Sequence, residues 1–281
     1  MAKVLIIGCG DLGSAIAHLL QKNHLVVGLR RSNKTSSNMQ TIQADVTQPS
    51  TLTELEILNP NIVIYCVSAD AQTDESYLAN YVTGLKNILV TQRQNVALQH
   101  VFFVSSTRVY GQITDEILDE NTPAIPADFG GARLLEAENS LKQVSCKSTS
   151  MRLSGIYGNG RLYLANMAKE PARWPADNHW SNRIHRDDAA GFIALMVENA
   201  INKQPLESTY RVTDDMPTQQ YEVLIWLAQQ QGIDTSHIQL PAVSSGKRLS
   251  NKRLRSTGFG LQYPNYQVGY GVILNSVILK S

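Results

Sequence analysis

The chain reads as an α/β protein, a doubly wound parallel sheet with a small C-terminal lobe. Three features lead there. Short apolar runs alternate with helix-period segments over the first 153 residues, the pattern of a parallel sheet covered on both faces. A glycine-rich stretch joins the first run to the first helical segment. Beyond Gly155 the alternation loosens into polar, turn-rich sequence.

In order, Lys3-Val4-Leu5-Ile6-Ile7 is a buried strand and Gly8-Cys9-Gly10-Asp11-Leu12-Gly13 the turn after it. A helix is expected from Asp11 to about Lys22, with Leu12, Ala15, Ile16, Leu19 and Leu20 as its apolar stripe. A second strand covers 25–30, then come the polar loop 32–38 and a short third strand, 39–43. A short helix is expected near 50–58, a β-branched strand at 61–66, and a long helix over 74–95. Another strand, 100–105, is followed by a Pro-containing loop, 122–126, a helix over 128–143 and a strand at 149–153. In the looser part, 157–160 is a turn, and 166–182 is polar and carries Trp174 and Trp180. Helices are expected over 187–199 and 218–230, a strand at 209–212, and an irregular tail with one short helix near 250–257. The expected division is 1–153 plus 186–213 in the larger domain and 154–185 plus 214–281 in the smaller lobe.

The first turn carries chemistry. Between a buried strand and a helix, Gly8 permits a tight turn, Gly10 lets a pyrophosphate approach the backbone, and Gly13 lets the helix pack close. The unpaired N–H groups at the helix start then face phosphate. This is a dinucleotide-binding turn. NAD-binding versions place an acid about 20 residues further on, against the ribose 2′-hydroxyl. Here the second strand ends in Arg30-Arg31-Ser32, with no acid. Guanidinium groups grip a 2′-phosphate, so NADP is expected in preference to NAD.

The 281 residues carry a formal net charge of +1, which supplies no global field for nucleic acid or an anionic surface. No interleaved basic and aromatic stripe supports a nucleic-acid role. No apolar run approaches the roughly 20 residues that span a bilayer, so no membrane role is expected and the cytoplasm is the expected location. Cys9, Cys66 and Cys146 are too few and too far apart for a disulfide framework and read as inert thiols. The six histidines are scattered without ligand spacing, so no metal site is expected.

Five further segments carry a resemblance. Ser105-Ser106-Thr107-Arg108-Val109-Tyr110-Gly111, Glu120 to Pro126, Arg152 to Gly158, Ile184-His185-Arg186-Asp187-Asp188-Ala189, and Asn251 to Phe259 follow one another in family order. Together they resemble the extended short-chain dehydrogenase/reductases, the NAD-dependent epimerase/dehydratase family, with its Rossmann arrangement. The resemblance implies cofactor contacts. Gly8, Gly10, Asp11, Leu12 and Gly13 would line the pyrophosphate, and Arg30, Arg31 and Ser32 the adenosine ribose or its phosphate. Asp45 and Val46 would lie beside adenine, Val67, Ser68 and Ala69 beside the cofactor ribose, and Gly155 and Ile156 near the nicotinamide. It also implies a homodimer paired through the helices near 77–95 and 128–143, and a small polar substrate of nucleotide-sugar type. Trp174, Asn178, His179, Trp180 and Arg183 would line the substrate cleft or form a surface loop.

The family's catalytic set breaks. Its Ser/Thr falls at Ser106, but its Tyr-x-x-x-Lys pair falls at Phe129 and Arg133. A tyrosine hydroxyl, ordinarily titrating at about 10, moves the substrate proton with the help of the lysine charge. Phenylalanine moves none. Arginine keeps the charge and the ribose contact but relays no proton. This chain resembles the atypical members that keep the glycine turn and lose active-site residues. Three readings stay open: another acid acts (Ser106, Tyr110, Tyr157 or His185), the substrate brings its own ionisable group, or the protein binds NADP(H) as a non-catalytic sensor.

Overall fold

The computed structural model describes residues 1–32 and 39–278. Seven strands form its main sheet: β1 (Lys3–Ile7), β2 (Leu25–Arg30), β3 (Gln40–Gln43), β4 (Ile62–Tyr65), β5 (His100–Ser106), β6 (Lys147–Leu153) and β7 (Thr209–Val212). Their order is β7-β6-β5-β4-β1-β2-β3. β1 pairs in parallel with both β2 and β4, β2 with β3, and β4 with β5. Helices flank the sheet, so its central strands are buried on both faces and read as unbroken apolar runs rather than alternating ones. The chain steps outward from β1 to β3 on one side, then returns past β1 to start β4 on the other. That reversal opens a crevice at the carboxyl ends of β1 and β4, where ligands bind in such sheets.

Helix α1 (Asp11–Leu20) buries Leu12, Ile16, Ala17 and Leu20. The short helix expected near 50–58 is instead two 3₁₀ turns, Pro49–Thr51 and Thr53–Ile57. The single helix expected over 74–95 comes in three pieces: α2 (Asp74–Tyr77), a π-helical turn, Leu78–Thr83, and α3 (Gly84–Thr91). The cause is Tyr65 at the end of β4, whose hydroxyl donates to the carbonyl of Asn80. An α-helix would spend that carbonyl on the amide of residue 84. The ladder widens around the inserted phenol, as π turns do. Gly84 sits against the same hydroxyl, where a Cβ would not fit. Helix α4 (Phe129–Ser140) starts at Asp128, whose Oδ1 accepts from the Gly131 amide at 2.8 Å.

His100, at the start of β5, is enclosed by the sheet. Its Nε2 lies 2.9 Å from Thr149 Oγ1 and its ring stacks on Phe102 at 4.3 Å. Burial, with Lys147 nearby, pushes its pKa down to about 4. An unfolded histidine titrates at about 6.5, so the fold favours the neutral ring. Its contribution is fully present above pH 6.5 and is lost as pH falls towards 4, by about 3 kcal/mol. Chemical denaturation at pH 7 and pH 4 is expected to show this loss, and His100→Gln to flatten it.

The chain divides into two compact units, residues 1–111, 123–152 and 190–210, and residues 112–122, 153–189 and 211–281. The sequence-based division kept 112–122, 153, 186–189 and 211–213 with the sheet. The segment 112–122 goes to the second unit for two reasons. Ile117–Leu118 pairs with Arg248–Leu249, and Glu120 makes a buried ion pair with Arg211 at 3.1 Å. The second unit has its own core, built on Tyr157, Leu224, Leu227, Tyr266, Tyr270 and Ile273. Two expectations are corrected here. The tail is not irregular, because Tyr266–Ile278 is a helix. The polar stretch contains the strand Asn178–Ser181, followed by Arg183–His185, and Asn178 and Arg183 are buried, so it is no surface loop. Among the described residues, no helix is long and apolar enough to cross a membrane.

Candidate functional site

The crevice at the carboxyl ends of β1, β2 and β4 is a cleft of about 450 Å³. Its floor is the glycine turn. The amides of Gly8 and Cys9 both donate to the Leu29 carbonyl, at 2.9 and 3.1 Å, which ties the turn to the end of β2. Gly8 has φ +94°, and a Cβ there would lie 2.5 Å from the Cys66 carbonyl oxygen. A Cβ at Gly13 would strike the Gly8 carbonyl. At Gly10 a Cβ would meet nothing within 4 Å, so the backbone there is open to whatever enters. Gly10 is also the N-cap of α1, so the start of the helix adjoins the cleft there.

Of the residues expected to bind cofactor, Gly8, Gly10, Arg30, Arg31, Ser32, Val46, Val67, Ser68 and Ala69 line this cleft together. Leu12 packs in the core under α1 and Gly13 pins the turn, so both shape the floor from behind. Asp11, the first residue of α1, does not line the cleft. Asp45 does not line it either, because its Oδ1 accepts from the Thr47 amide and hydroxyl at 2.9 and 2.7 Å, the work of a turn aspartate. Gly155 and Ile156 belong to the second unit and line a cavity there.

The cleft also holds residues that the sequence reading missed: Cys9, Leu29, Ala44, Cys66, Asp70 and Asn80. Asp70 matters most. Arg31 Nη1 donates to its Oδ2 at 2.6 Å, and Arg31 Nη2 donates to its Oδ1, a fork on a carboxylate. This hydrogen bonding to Arg31 holds the Asp70 carboxyl below the usual carboxylate range. Arg30 Nε donates to Ser32 Oγ at 3.1 Å. The thiol of Cys9 is buried and pushed up to about 11 by that burial, so it is no nucleophile at neutral pH.

The positions that the resemblance assigns to catalysis take part in the packing and hydrogen bonding of the fold. Ser106 Oγ accepts from the Arg108 amide at 3.1 Å and caps the 3₁₀ turn Thr107–Val109. The Phe129 ring meets Tyr77 edge-on at 5.4 Å, with the Arg108 guanidinium 5.2 Å from its centroid. Arg108 is itself fixed: Nε donates to Asp128, and Nη1 to Gln72 Oε1 at 2.9 Å and Tyr77 Oη at 2.7 Å. Arg133 does not line the cleft. It donates twice to Asp74, both at 2.8 Å, and once to Glu136. The hydroxyls proposed as substitute acids are committed too. Tyr110 is fully buried and accepts from Arg152 Nη1 at 2.5 Å. In the second unit, burial raises the Tyr157 hydroxyl far above its ordinary range and lowers the His185 pKa, and the His185 ring stacks on Tyr263 at 3.7 Å.

Residues 4–210 match the model of the NAD dependent epimerase/dehydratase family. The chain belongs to that family. A protein from Methylobacillus flagellatus with the same family description is 46% identical, with a TM-score of 0.89 over 98% of each chain. More distant members share the fold. The UDP-glucose 4-epimerase of Thermus thermophilus, solved with NAD, is 20% identical, with a TM-score of 0.75 over 95% of this chain and 96% of its own. The dTDP-glucose 4,6-dehydratase of Bacillus anthracis, also solved with NAD, is 14% identical, with a TM-score of 0.78 over 96% and 94%. No curated protein matches the chain in sequence. As an epimerase/dehydratase family member, the chain carries the glycine turn Gly8–Gly13, and the resemblance sets Phe129 and Arg133 at the places of the family's Tyr-x-x-x-Lys pair.

Proposed function

We propose that this family member binds NADP(H) in preference to NAD(H) in the cleft over Gly8–Gly13, and that it has given up the proton relay of its relatives. The observation that carries the binding half is the cleft itself, which an open Gly10 backbone at the N-cap of α1 lines together with Arg30, Arg31 and Ser32. When bound, the dinucleotide supplies a hydride or accepts one. The chain's own part is to hold the pyrophosphate on α1 and the adenosine end between the ends of β2 and β4. The second half rests on Phe129, which has no polar group, and on Arg133, which is bonded to Asp74 within the fold. Binding without that relay suits a protein that responds to cofactor state. The α3 and α4 region is the proposed homodimer face, to be tested by light scattering of the purified chain.

Asp70 sets the terms of cofactor choice. A 2′-phosphate entering beside Arg31 has to draw the guanidinium away from its carboxylate, whereas a 2′-hydroxyl does not. Fluorescence titration is expected to give a lower Kd for NADPH than for NADH. Asp70→Asn is expected to tighten NADPH by about threefold to tenfold and to leave NADH nearly unchanged, since each 1.4 kcal/mol is tenfold. Arg31→Ala is expected to erase the preference. Tighter binding of NADH by the unaltered chain sinks the NADP(H) reading.

The relay is tested separately. NADPH oxidation across a panel of carbonyl compounds and nucleotide sugars is expected to stay at background. A general acid is worth about 10²–10⁴-fold, so Phe129→Tyr with Arg133→Lys is expected to raise oxidation above that background. Brisk turnover by the unaltered chain rules the reading out.

A further inference from the structure

At the amino ends of β5 and β6, on the sheet edge away from the glycine turn, lies a cavity of about 390 Å³ that has no part in the reading above. All its lining residues belong to the first unit. They include His100, Lys147 and Lys203, and no carboxylate. Both lysines are exposed, and among the described residues neither has an ion-pair partner. Lys203, just past the helix Arg186–Ile201, has φ +58°. That conformation favours glycine, yet the position carries a long cationic side chain.

His100 is the unusual one, polar and only 3% exposed. Its tautomer follows from a chain of hydrogen bonds. Thr149 Oγ1 donates to the Glu207 carbonyl at 2.9 Å, which spends its one proton. The same oxygen therefore accepts from His100 Nε2, also at 2.9 Å, so that nitrogen carries the ring proton. In the neutral ring Nδ1 is then a bare acceptor. It has no partner among the described residues, and it is not one of the buried atoms shut off from solvent. It opens instead on the cavity that His100 lines. Buried polar groups in native folds are nearly always bonded, so this nitrogen calls for a donor. The lysines set the donor's charge. They repel a cationic donor, whereas a neutral hydroxyl carried by an anion satisfies both nitrogen and lysines.

We propose that this cavity binds a small oxyanion that carries its own hydroxyl group, a hydroxycarboxylate or a polyol phosphate. Lys147 and Lys203 hold the oxyanion, and His100 Nδ1 accepts from the hydroxyl. The site shares no lining residue with the cofactor cleft, so it stands or falls apart from cofactor binding.

The test uses the full-length chain at neutral pH and constant ionic strength. Glycerate and glycerol 3-phosphate are the probes; propionate lacks the hydroxyl and glycerol lacks the charge. Long-range proton–nitrogen NMR of the histidine rings reads the site directly, with the His100 signals identified by their absence from His100→Gln. The unaltered chain is expected to show His100 as the Nε2–H tautomer. At least one of the two probes is expected to shift its Nδ1 signal saturably at millimolar concentration, and propionate and glycerol to leave it in place. Which probe acts distinguishes carboxylate from phosphate. Lys147→Ala with Lys203→Ala is expected to keep the unliganded Tm within a few degrees, since both side chains are exposed, and to weaken binding at least tenfold. An Nδ1 signal that neither probe moves overturns the proposal. So does an Nδ1–H tautomer, an equal shift with propionate, or undiminished binding by the lysine variant. Should His100→Gln fail to fold, calorimetric titration of the unaltered chain and the lysine variant decides, and equal affinities overturn the proposal.

Discussion

Replacing Glu138 with alanine is expected to destabilise the chain by about 3–5 kcal/mol, the cost of leaving a buried charge without its partner. Glu138 projects from α4 against β5 and β6 in the first unit and is almost fully buried, as is Arg152 on β6. Arg152 Nη2 donates to Glu138 Oε2 at 2.6 Å, and its Nε donates to both carboxylate oxygens at 3.0 and 3.1 Å. Ser105 Oγ donates to Oε1 at 2.6 Å, and the remaining arm of Arg152 reaches the Tyr110 hydroxyl. Removing the carboxylate strands the guanidinium, a serine hydroxyl and a phenol together. Urea unfolding measures the loss. Replacing the pair with Glu138→Leu and Arg152→Met is expected to recover most of it, since apolar isosteres often stand in for buried ion pairs at little cost. A Glu138→Ala loss below about 1 kcal/mol refutes the claim that this network holds α4 to the sheet.

The same network shows why the fold was easier to read than the chemistry. Tyr110 and Arg152 belong to segments that carried the family resemblance, and here both are structural pins. Glu120, from another such segment, is bonded to Arg211. Asp188 accepts from the amides of Gln262 and Tyr263 at 2.9 and 2.8 Å. These residues signal the fold because they hold it. A sequence shows residue types in order, and a pin and a proton donor can be the same type. The sequence reads phenylalanine at 129 and arginine at 133, the places that the resemblance gives to tyrosine and lysine. That Arg133 turns to Asp74, 59 positions away, was not legible there. Asp70 was invisible for the same reason, being 39 positions from Arg31. The C-terminal helix was hidden by Gly269 and Gly271, which weaken a helical pattern that packing then overrides.

Two substitutions in the glycine turn separate its part in the fold from its part in binding. Gly8→Ala is expected to cost about 2–5 kcal/mol. Part is the left-handed backbone, φ +94°, which an L side chain adopts at about 1–2 kcal/mol or more, and part is overpacking at about 1–3 kcal/mol. The new Cβ would press on the Cys66 carbonyl and the Val67 amide, which are backbone atoms at the end of β4 and cannot move without opening the β1–β4 pair. Binding falls with it, because Cys66 and Val67 line the cleft. Gly10→Ala behaves differently. Its φ is −80° and its Cβ would enter open space, so stability is expected to change by no more than about 1 kcal/mol, the difference between glycine and alanine at an N-cap. If a pyrophosphate rests on that backbone, the same methyl occupies its place, and NADPH affinity is expected to fall at least tenfold, about 1.4 kcal/mol. Thermal unfolding and NADPH titration on both variants check the contrast. Gly10→Ala binding NADPH as tightly as the unaltered chain removes the phosphate from the turn, whatever Gly8→Ala does to the fold.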